Sequence, residues 1–391
     1  MRQELRNCGG SHETNAQHSD DTSVAILEKH DGREQNDFSE SATPIALKDP
    51  RATLYFHEKI TADSTRFGGI HPVIAIESHQ TNLANLIRKA FQSLLNQDGA
   101  IDRSSDQVTV RLNDGQWHTK KKPDFISVTR GPGMYSSLST GIDTAKGLAV
   151  AWSIPLVAVN HMQAHALTPR LVAALEETPA RSKKCIFPFL SLLVSGGHTL
   201  LVHSKDVNDH AILASTSDIA TGDYIDKIAR CILPSTLLQE SGEIMYGRLL
   251  EQYTFPHGPG DYGYTAAGGR GEETARKGTH WGWGLATPLA ESRSGSKRAG
   301  GSTSRMEFSF SGLGSAVRKI CEEKGGEMRE EERRDLARHG MRVAFEHLAS
   351  RVVMALKTLE SQEILDANSG NALNRLVVSG GVAANGYLKA M

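Results

Sequence analysis

The segment FLSLLVSGGHTLLV, residues 189–202, decides the fold class. Its two apolar runs, 189–194 and 199–202, have the composition of buried β-strands. The Ser-Gly-Gly-His sequence between them predicts a β-hairpin. Downstream, residues 212–215 form a candidate third strand, and residues 224–232 repeat apolar side chains at helical spacing. The second half of the chain therefore combines a sheet with helices that pack on it.

The first half of the chain alternates the same two kinds of element. Helical periodicity covers residues 83–95, and a polar loop then ends in three lysines, 120–122. Strand 125–129, a helix and strand 156–159 follow. This alternation favours an α/β fold.

The domain organisation follows from these patterns and from the polar segments between them. We expect a polar N-terminal segment at 1–50 with one short strand (22–27), a first lobe at 51–180 and a second lobe at 186–391. Gly-, Ser- and Arg-rich residues without periodicity predict a disordered insert at about 255–305.

Composition excludes several classes of protein. The 391 residues carry a formal net charge of -1, which excludes a strongly basic nucleic-acid binder. The four cysteines are widely spaced, which argues against a disulfide framework and a zinc ribbon. No apolar run reaches the roughly 18 residues of a membrane span, so no membrane partner is expected. The N-terminus lacks a secretory signal, and its acidic residues are untypical of a mitochondrial transit peptide.

Two histidines provide a candidate metal site. His161 and His165 lie four residues apart after strand 156–159, so on a helix they share one face and can bind one metal ion. Met162 stands where a zinc protease has its general-base glutamate, which disfavours that class. A pair of histidines without a third ligand is more often solvated than metal-bound.

Two glycine-rich loops are candidates for anion binding. Ser195–Gly197 can present backbone N–H groups to a phosphate, although a plain hairpin turn is an equally good interpretation. The sequence SGGVAAN, residues 379–385, follows a strand and precedes a helix, so Asn385 could bind a ribose or base. By residue type alone, Asp223, Asp226 and Lys227 predict a solvated helix face, and the three lysines at 120–122 a solvated loop.

Together these segments resemble one family, the universal tRNA threonylcarbamoyladenosine transferases (the TsaD family). Eight segments occur in the family's order: SDDTSVA (19–25), FGGIHP (67–72), GPGM (131–134), NHMQAH (160–165), LVSGGHT (193–199), GDYIDK (222–227), FSFSGL (308–313) and SGGVAAN (379–385). The histidine that follows the double glycine, His198, resembles the pattern of the bacterial and mitochondrial branch of that family. This resemblance implies a mitochondrial location.

The resemblance implies an actin-like ATPase (ASKHA) fold, with two α/β lobes around a nucleotide cleft. It implies transfer of a threonylcarbamoyl group from threonylcarbamoyl-AMP to N6 of the adenosine 3′ of the anticodon in tRNAs reading ANN codons. A separate synthase would supply the donor, and a homodimer is left open. One divalent metal ion, zinc or iron, would be held by His161 and His165. The substrate contacts carried over are Val194, Ser195, Gly196, Gly197, Asp226 and Asn385.

The chain also departs from the family pattern. The apolar strand and Glu-Thr-Ser-Cys that precede Asp-Asp-Thr in the family are replaced by polar residues 9–18, and the Pro-Gly-Gly loop is replaced near residues 240–243. No residue matches the family's aspartate that supplies a third metal ligand. We therefore expect a chain truncated at both ends and impaired in activity. The alternative is a non-catalytic nucleotide-binding relative that acts in a complex, and a small-molecule kinase is disfavoured by the histidine pair.

Overall fold

The computed structural model describes residues 2–7, 20–30, 51–64, 71–94, 107–112, 114–175, 187–240, 246–267, 278–289, 306–365 and 375–391. These residues form two compact units. The first contains the described residues up to Leu175, and the second those from Phe187 onward.

The first unit is built on a five-stranded sheet. Its strands and helices are β1 (Arg2–Asn7), β2 (Asp21–His30), β3 (Arg51–Thr61), α1 (Pro72–Gln92), β4 (Gln107–Arg111), β5 (Trp117–Lys121), β6 (Phe125–Gly131), α2 (Tyr135–Trp152), β7 (Leu156–Asn160) and α3 (His161–Leu175). The sheet order is β3-β2-β1-β6-β7. β1, β2 and β3 are antiparallel neighbours, whereas β6 and β7 run parallel to β1. β4 and β5 form a separate two-stranded hairpin.

Apolar side chains of α1 and α2 pack on this sheet. In α1 the buried positions, among them Leu83, Leu86, Ile87 and Ala90, recur every three or four residues, which puts them on one face of the helix. They meet Ile126 of the interior strand β6 in one hydrophobic core.

The second unit has its own five-stranded sheet, in the order β11-β10-β9-β8-β12. Its elements are β8 (Phe189–Val194), β9 (Thr199–Ser204), β10 (His210–Thr216), α4 (Thr221–Ile232), α5 (Ser235–Glu240), α6 (Gly247–Thr254), β11 (Glu307–Phe308), α7 (Ser311–Lys324), α8 (Glu330–Leu365), β12 (Leu376–Ser379) and α9 (Gly386–Ala390). Every residue of β8 and β9 is buried, as the two apolar runs predict.

Helices α4, α7 and α8 meet around one buried tyrosine. The Tyr224 hydroxyl donates to the carbonyl oxygen of Gly340 at 3.1 Å, which satisfies its polar end inside an apolar core. Phe308 and Phe310 are completely buried in the same core, so the aromatic residues before α7 pack as expected. Asp218 holds that segment by accepting from the backbone N–H groups of Phe310 and Ser311.

The two sheets repeat one strand plan. Each starts with three antiparallel strands joined in sequence, and each adds a later strand parallel to the first, β6 beside β1 and β12 beside β8. Two α/β units agree with the actin-like fold that the family resemblance implies.

Three regions differ from the sequence-based expectations. Residues 1–50 contain two strands, β1 and β2, which belong to the first unit's sheet. The lysines at 120–122 do not lie in a solvated loop, because β5 includes the first two and the Lys120 side chain is buried. Residues 9–18, where polar residues are expected to replace the family's apolar strand, lie outside the described residues.

The expected disordered insert at 255–305 is partly packed. In its described parts, Phe255, Trp283 and Leu285 are buried in the second core. The indole N–H groups of Trp281 and Trp283 donate to Asp335 and Glu332 of α8. These tryptophans lie on irregular backbone and do not recur at the spacing of a helix or a strand, so the sequence pattern did not predict their burial.

In the portion of the chain that the structure describes, no helix combines the length and the apolar character needed to cross a membrane.

Candidate functional site

The histidine pair lies at the start of α3, directly after β7. Asn160, the last residue of β7, accepts hydrogen bonds through Oδ1 from the backbone N–H groups of Met162 (2.9 Å) and Gln163 (3.1 Å). An asparagine in this position caps a helix. The cap places His161 in the first turn and His165 one turn later on the same face.

The two imidazoles have a geometry that fits a shared metal ion. Their Nε2 atoms are 3.2 Å apart, and the rings meet edge to face with centroids 4.6 Å apart. Two nitrogen ligands of a tetrahedral zinc ion, each at 2.0–2.1 Å, lie about 3.3–3.4 Å apart. His161 is buried, so its ring has little freedom to leave this position. The pair therefore has the spacing of two ligands of one divalent cation.

A complete ligand set is not visible among the described residues. No group of three or more His, Cys, Asp or Glu side chains with metal-binding geometry occurs in them. Further ligands therefore have to come from outside these residues, from water or from a substrate.

The first glycine turn joins β8 to β9 in the second unit. Ser195 N–H donates to the carbonyl oxygen of His198 at 2.9 Å, and Ser195 Oγ accepts from the N–H groups of Gly197 (3.3 Å) and His198 (2.9 Å). Successive amides are thus turned toward one oxygen atom. This arrangement confirms the predicted hairpin and also resembles the amide nests that hold anions.

Three backbone segments meet where β8 ends. Gly222 at the start of α4 donates its N–H to Ser195 O at 3.0 Å, and a Cβ added there would lie 2.7 Å from Gly196 Cα. Gly380 follows β12, which pairs in parallel with β8, and it has φ +103°. A Cβ at Gly380 would collide with the carbonyl oxygen of Val194. Only glycine permits this approach, so the loops at 194–197, 222 and 380 form one tightly packed group.

Asp226 lies one turn after Gly222, and the protein itself occupies both of its carboxylate oxygens. Oδ1 accepts from the backbone N–H of Tyr246 at 2.6 Å, and Oδ2 accepts from Arg230 at 2.7 Å. Burial raises the pKa of Asp226, while the hydrogen bond from Tyr246 and the charge of Arg230 oppose this rise. Of the helix face predicted to be solvated, Lys227 contacts Asp223 at 2.7 Å, whereas Asp226 is half-buried and is held by Tyr246 and Arg230.

Asn385 caps α9. Its Oδ1 accepts from the backbone N–H of Leu388 at 3.0 Å, and the residue is buried. The carbonyl end of the side chain therefore has a structural partner, and a ligand would be recognised by the amide nitrogen.

Asp20 is a notable group that sequence analysis did not select as a site residue. It lies immediately before β2, it is 5% exposed, and its Oδ1 has no hydrogen-bond partner among the residues that the structure describes. Burial and the adjacent carboxylate of Asp21 raise the pKa of Asp20 to about 6. The available signal was the Asp-Asp pair at the start of an apolar run, but a pKa depends on burial that the sequence does not show.

Comparison with known proteins identifies the family. The family model of TsaD, tRNA N6-adenosine threonylcarbamoyltransferase, matches residues 117–391. The mitochondrial enzyme of that name from Schizosaccharomyces pombe is 32% identical over 95% of this chain and 70% of the relative. The chain belongs to the tRNA N6-adenosine threonylcarbamoyltransferase family. The family resemblance, the actin-like fold and the acyltransferase class expected from the sequence are thereby confirmed.

Other members of this transferase family are similar over most of the chain. The Chelativorans sp. protein is 31% identical over 83% of this chain and 68% of the relative. The Paraburkholderia xenovorans protein is 30% identical over 89% of this chain and 78% of the relative. A solved structure of the Aquifex aeolicus PPX-GPPA enzyme aligns with 64% of this chain and 62% of that chain, at 11% identity and a TM-score of 0.28.

Proposed function

We propose that this chain transfers the threonylcarbamoyl group of threonylcarbamoyl-AMP to N6 of the adenosine 3′ of the anticodon in tRNAs reading ANN codons. The convergence of Val194–Gly197, Gly222 and Gly380 supports this proposal most directly, because it creates a side-chain-free backbone surface at the end of β8. Such surfaces allow a phosphate to approach backbone N–H groups closely. Family membership supplies the reaction class.

The proposed reaction needs no covalent enzyme intermediate. The donor is a mixed anhydride and is already activated, so N6 attacks the carbamoyl carbonyl carbon and the bond from that carbon to the phosphate oxygen breaks. AMP leaves with the electron pair, and N6 loses one proton. The protein's task is to orient the two reactants and exclude water.

We assign the AMP phosphate to the turn at 195–197 and to the Gly380 loop. Ser195 Oγ already aligns the amides of Gly197 and His198, so a phosphate oxygen that replaced this hydroxyl would find both donors oriented. Preorganised amides of this kind stabilise charge that develops on a leaving group. Asn385 is assigned to the nucleoside through its amide nitrogen. Asp226 is assigned to the same site. The hydrogen bond that it accepts from the Tyr246 N–H fixes the start of α6 beside α4.

We assign one divalent cation, zinc or iron, to His161 and His165. The 3.2 Å separation of their Nε2 atoms and the burial of His161 support this assignment. When bound, such an ion supplies a Lewis acid for the transfer reaction. The role of Asn160 is to hold both rings on one face through the helix cap.

The donor's chemistry and the relatives suggest partners and location. A reactive adenylate has to be made by a separate synthase, and the partner RNA is tRNA. We propose a mitochondrial location, supported by the relative from Schizosaccharomyces pombe that is named mitochondrial. The homodimer that the sequence leaves open is tested by the mass of the purified protein in solution.

The test is a reconstituted transfer reaction. Purified chain, Zn²⁺ or Fe²⁺, synthetic threonylcarbamoyl-AMP and an unmodified tRNA are incubated, and the digested nucleosides are analysed by mass spectrometry. Wild type should form threonylcarbamoyladenosine at a reduced rate, in line with the impairment expected from the sequence. His161→Ala and His165→Ala should each lose at least a further 10-fold in activity, as expected for a lost metal ligand. His257→Ala, which removes a histidine whose side chain is 83% exposed, should retain activity.

The outcomes distinguish a transferase from a non-catalytic nucleotide-binding relative. Donor binding without any modified nucleoside would contradict the transferase and favour the non-catalytic nucleotide-binding relative. Full activity of both histidine variants would contradict the metal assignment.

A further inference from the structure

The β4–β5 hairpin has two chemically different faces. Its register pairs Arg111 with Trp117, Thr109 with Thr119, and Gln107 with Lys121. Because side chains alternate along a strand, these six residues share one face, and Val108, Val110, His118 and Lys120 share the other. Each face therefore has a role of its own.

The inner face anchors the hairpin to the first unit. Val110 is buried, and Val108 packs against the core that α1 and β6 build. The buried ammonium of Lys120 donates to the carbonyl oxygen of Gln92 at the end of α1. Hairpins of this size are marginal alone, so this anchorage is what fixes the position of the outer face.

The outer face combines an exposed aromatic ring with cations. Trp117 is 68% exposed, although tryptophan is normally well buried. Arg111, its cross-strand partner, donates from Nε to Gly115 O at 3.1 Å, which holds the guanidinium beside the turn. Lys121 adds a second cation, and none of the six outer residues carries a carboxylate.

The charge of the hairpin differs from that of the whole chain. Residues 107–122 contain four cationic residues and one carboxylate, Asp114, whereas the complete chain has a net charge of -1. Asp114 lies at the turn and contacts His118, which belongs to the inner set. Two of the four cations, Arg111 and Lys121, lie on the face that carries Trp117, and Lys120 lies on the inner face.

We propose that the outer face of this hairpin binds unpaired nucleotides of the substrate tRNA, with one base stacked on Trp117 and the backbone phosphates beside Arg111 and Lys121. This inference rests on the proposed function, which supplies the RNA. An aromatic ring flanked by cations is the common means of holding splayed-out bases without strict sequence preference. A protein partner is disfavoured because the face offers a single large apolar side chain among polar neighbours, whereas interface centres group several.

The test is tRNA binding by variants of the complete chain, measured by fluorescence anisotropy with labelled tRNA. Trp117→Ala should weaken binding about 5- to 150-fold, the range for loss of one stacked base, and Trp117→Phe should restore most of it. Arg111→Ala should reduce the slope of log affinity against log salt concentration by about 0.7–0.9, as for one phosphate contact to RNA. Ile212→Ala removes another exposed apolar side chain, 62% exposed in β10, and should bind like wild type.

A second measurement separates this inference from the proposed function. All variants should bind threonylcarbamoyl-AMP as wild type does, because the hairpin contains none of the residues assigned to the donor. Unchanged tRNA affinity in Trp117→Ala would overturn the hairpin surface and leave the transferase intact, and it is also the result expected if a protein covers this face. Failure of wild type to modify tRNA would instead count against the proposed function.

Discussion

Asp20 offers the sharpest test of the electrostatics in the first unit. Its carboxyl group is buried beside Asp21, and its pKa rises from 3.8 to about 6. One pKa unit corresponds to about 1.4 kcal/mol, so ionised Asp20 costs the folded state about 3 kcal/mol. Because the folded pKa is raised, its contribution to stability is fully present below pH 3.8 and is lost as the pH rises through 6.

Asp20→Asn removes this titration and keeps the shape of the side chain. We expect the variant to match wild type in free energy of unfolding near pH 3.5 and to exceed it by up to about 3 kcal/mol at pH 8. The measurement is urea unfolding of both proteins, followed by circular dichroism, at one-unit steps between pH 3.5 and pH 8. The difference between the two proteins should grow mainly between pH 4 and 6.

Asp21→Asn is the matched control. Asp21 accepts from Lys59 at 2.8 Å and from the Thr61 hydroxyl at 2.5 Å, so its charge is useful to the folded state. This variant should be less stable than wild type at pH 8, opposite in sign to Asp20→Asn. A stability difference for Asp20→Asn that does not change with pH would refute the account of Asp20.

Further predictions concern the glycine loops, the metal site and the segment before α7 that Asp218 holds. Gly222→Ala places a Cβ 2.7 Å from backbone atoms, so it should lower the free energy of unfolding by about 1–3 kcal/mol and weaken donor binding measured by calorimetry. Gly147→Ala is the control, because its Cβ would point into open space in α2, and it should stabilise the protein by about 0.5–1 kcal/mol. His161→Ala should lower zinc affinity 10-fold or more by competition with a chelator, and unchanged affinity would contradict the shared site. Burial raises the pKa of Asp218, but hydrogen bonds from Ser311 and the segment before it hold this pKa at about 2. Stability from Asp218 should therefore be lost as the pH falls from 3.8 through 2, and Asp218→Asn should flatten that part of the thermal unfolding profile.

Elements with a clear apolar period were predictable from the sequence. The β8–β9 hairpin has two continuous apolar runs, as expected for strands buried on both faces, and the buried positions of α1 recur every three or four residues. Strand β1 was missed because RQELRN has no apolar alternation, and its place in the sheet comes from backbone pairing with β2 and β6. Backbone pairing of this kind has no sequence signal of its own.

The residues of the candidate site could be predicted from the sequence, and its geometry could be predicted in part. Gly196 and Gly380 indicated positions where two backbone segments approach closely. In the structure, Gly196 lies against Gly222, and Gly380 lies against Val194. The roles of Asp226 and Asn385 were less visible, because the partners that occupy them, Tyr246 N–H and Leu388 N–H, depend on tertiary packing and local capping. Their substrate contacts stay predictions.

The proposed transfer is tested most directly by counting its two products in a single turnover. Enzyme in excess over threonylcarbamoyl-AMP is mixed with unmodified tRNA, and AMP and threonylcarbamoyladenosine are quantified over time. The account predicts that both appear at the same rate and in a 1:1 ratio. AMP released without modified tRNA would show that water reaches the donor, and would contradict the central claim.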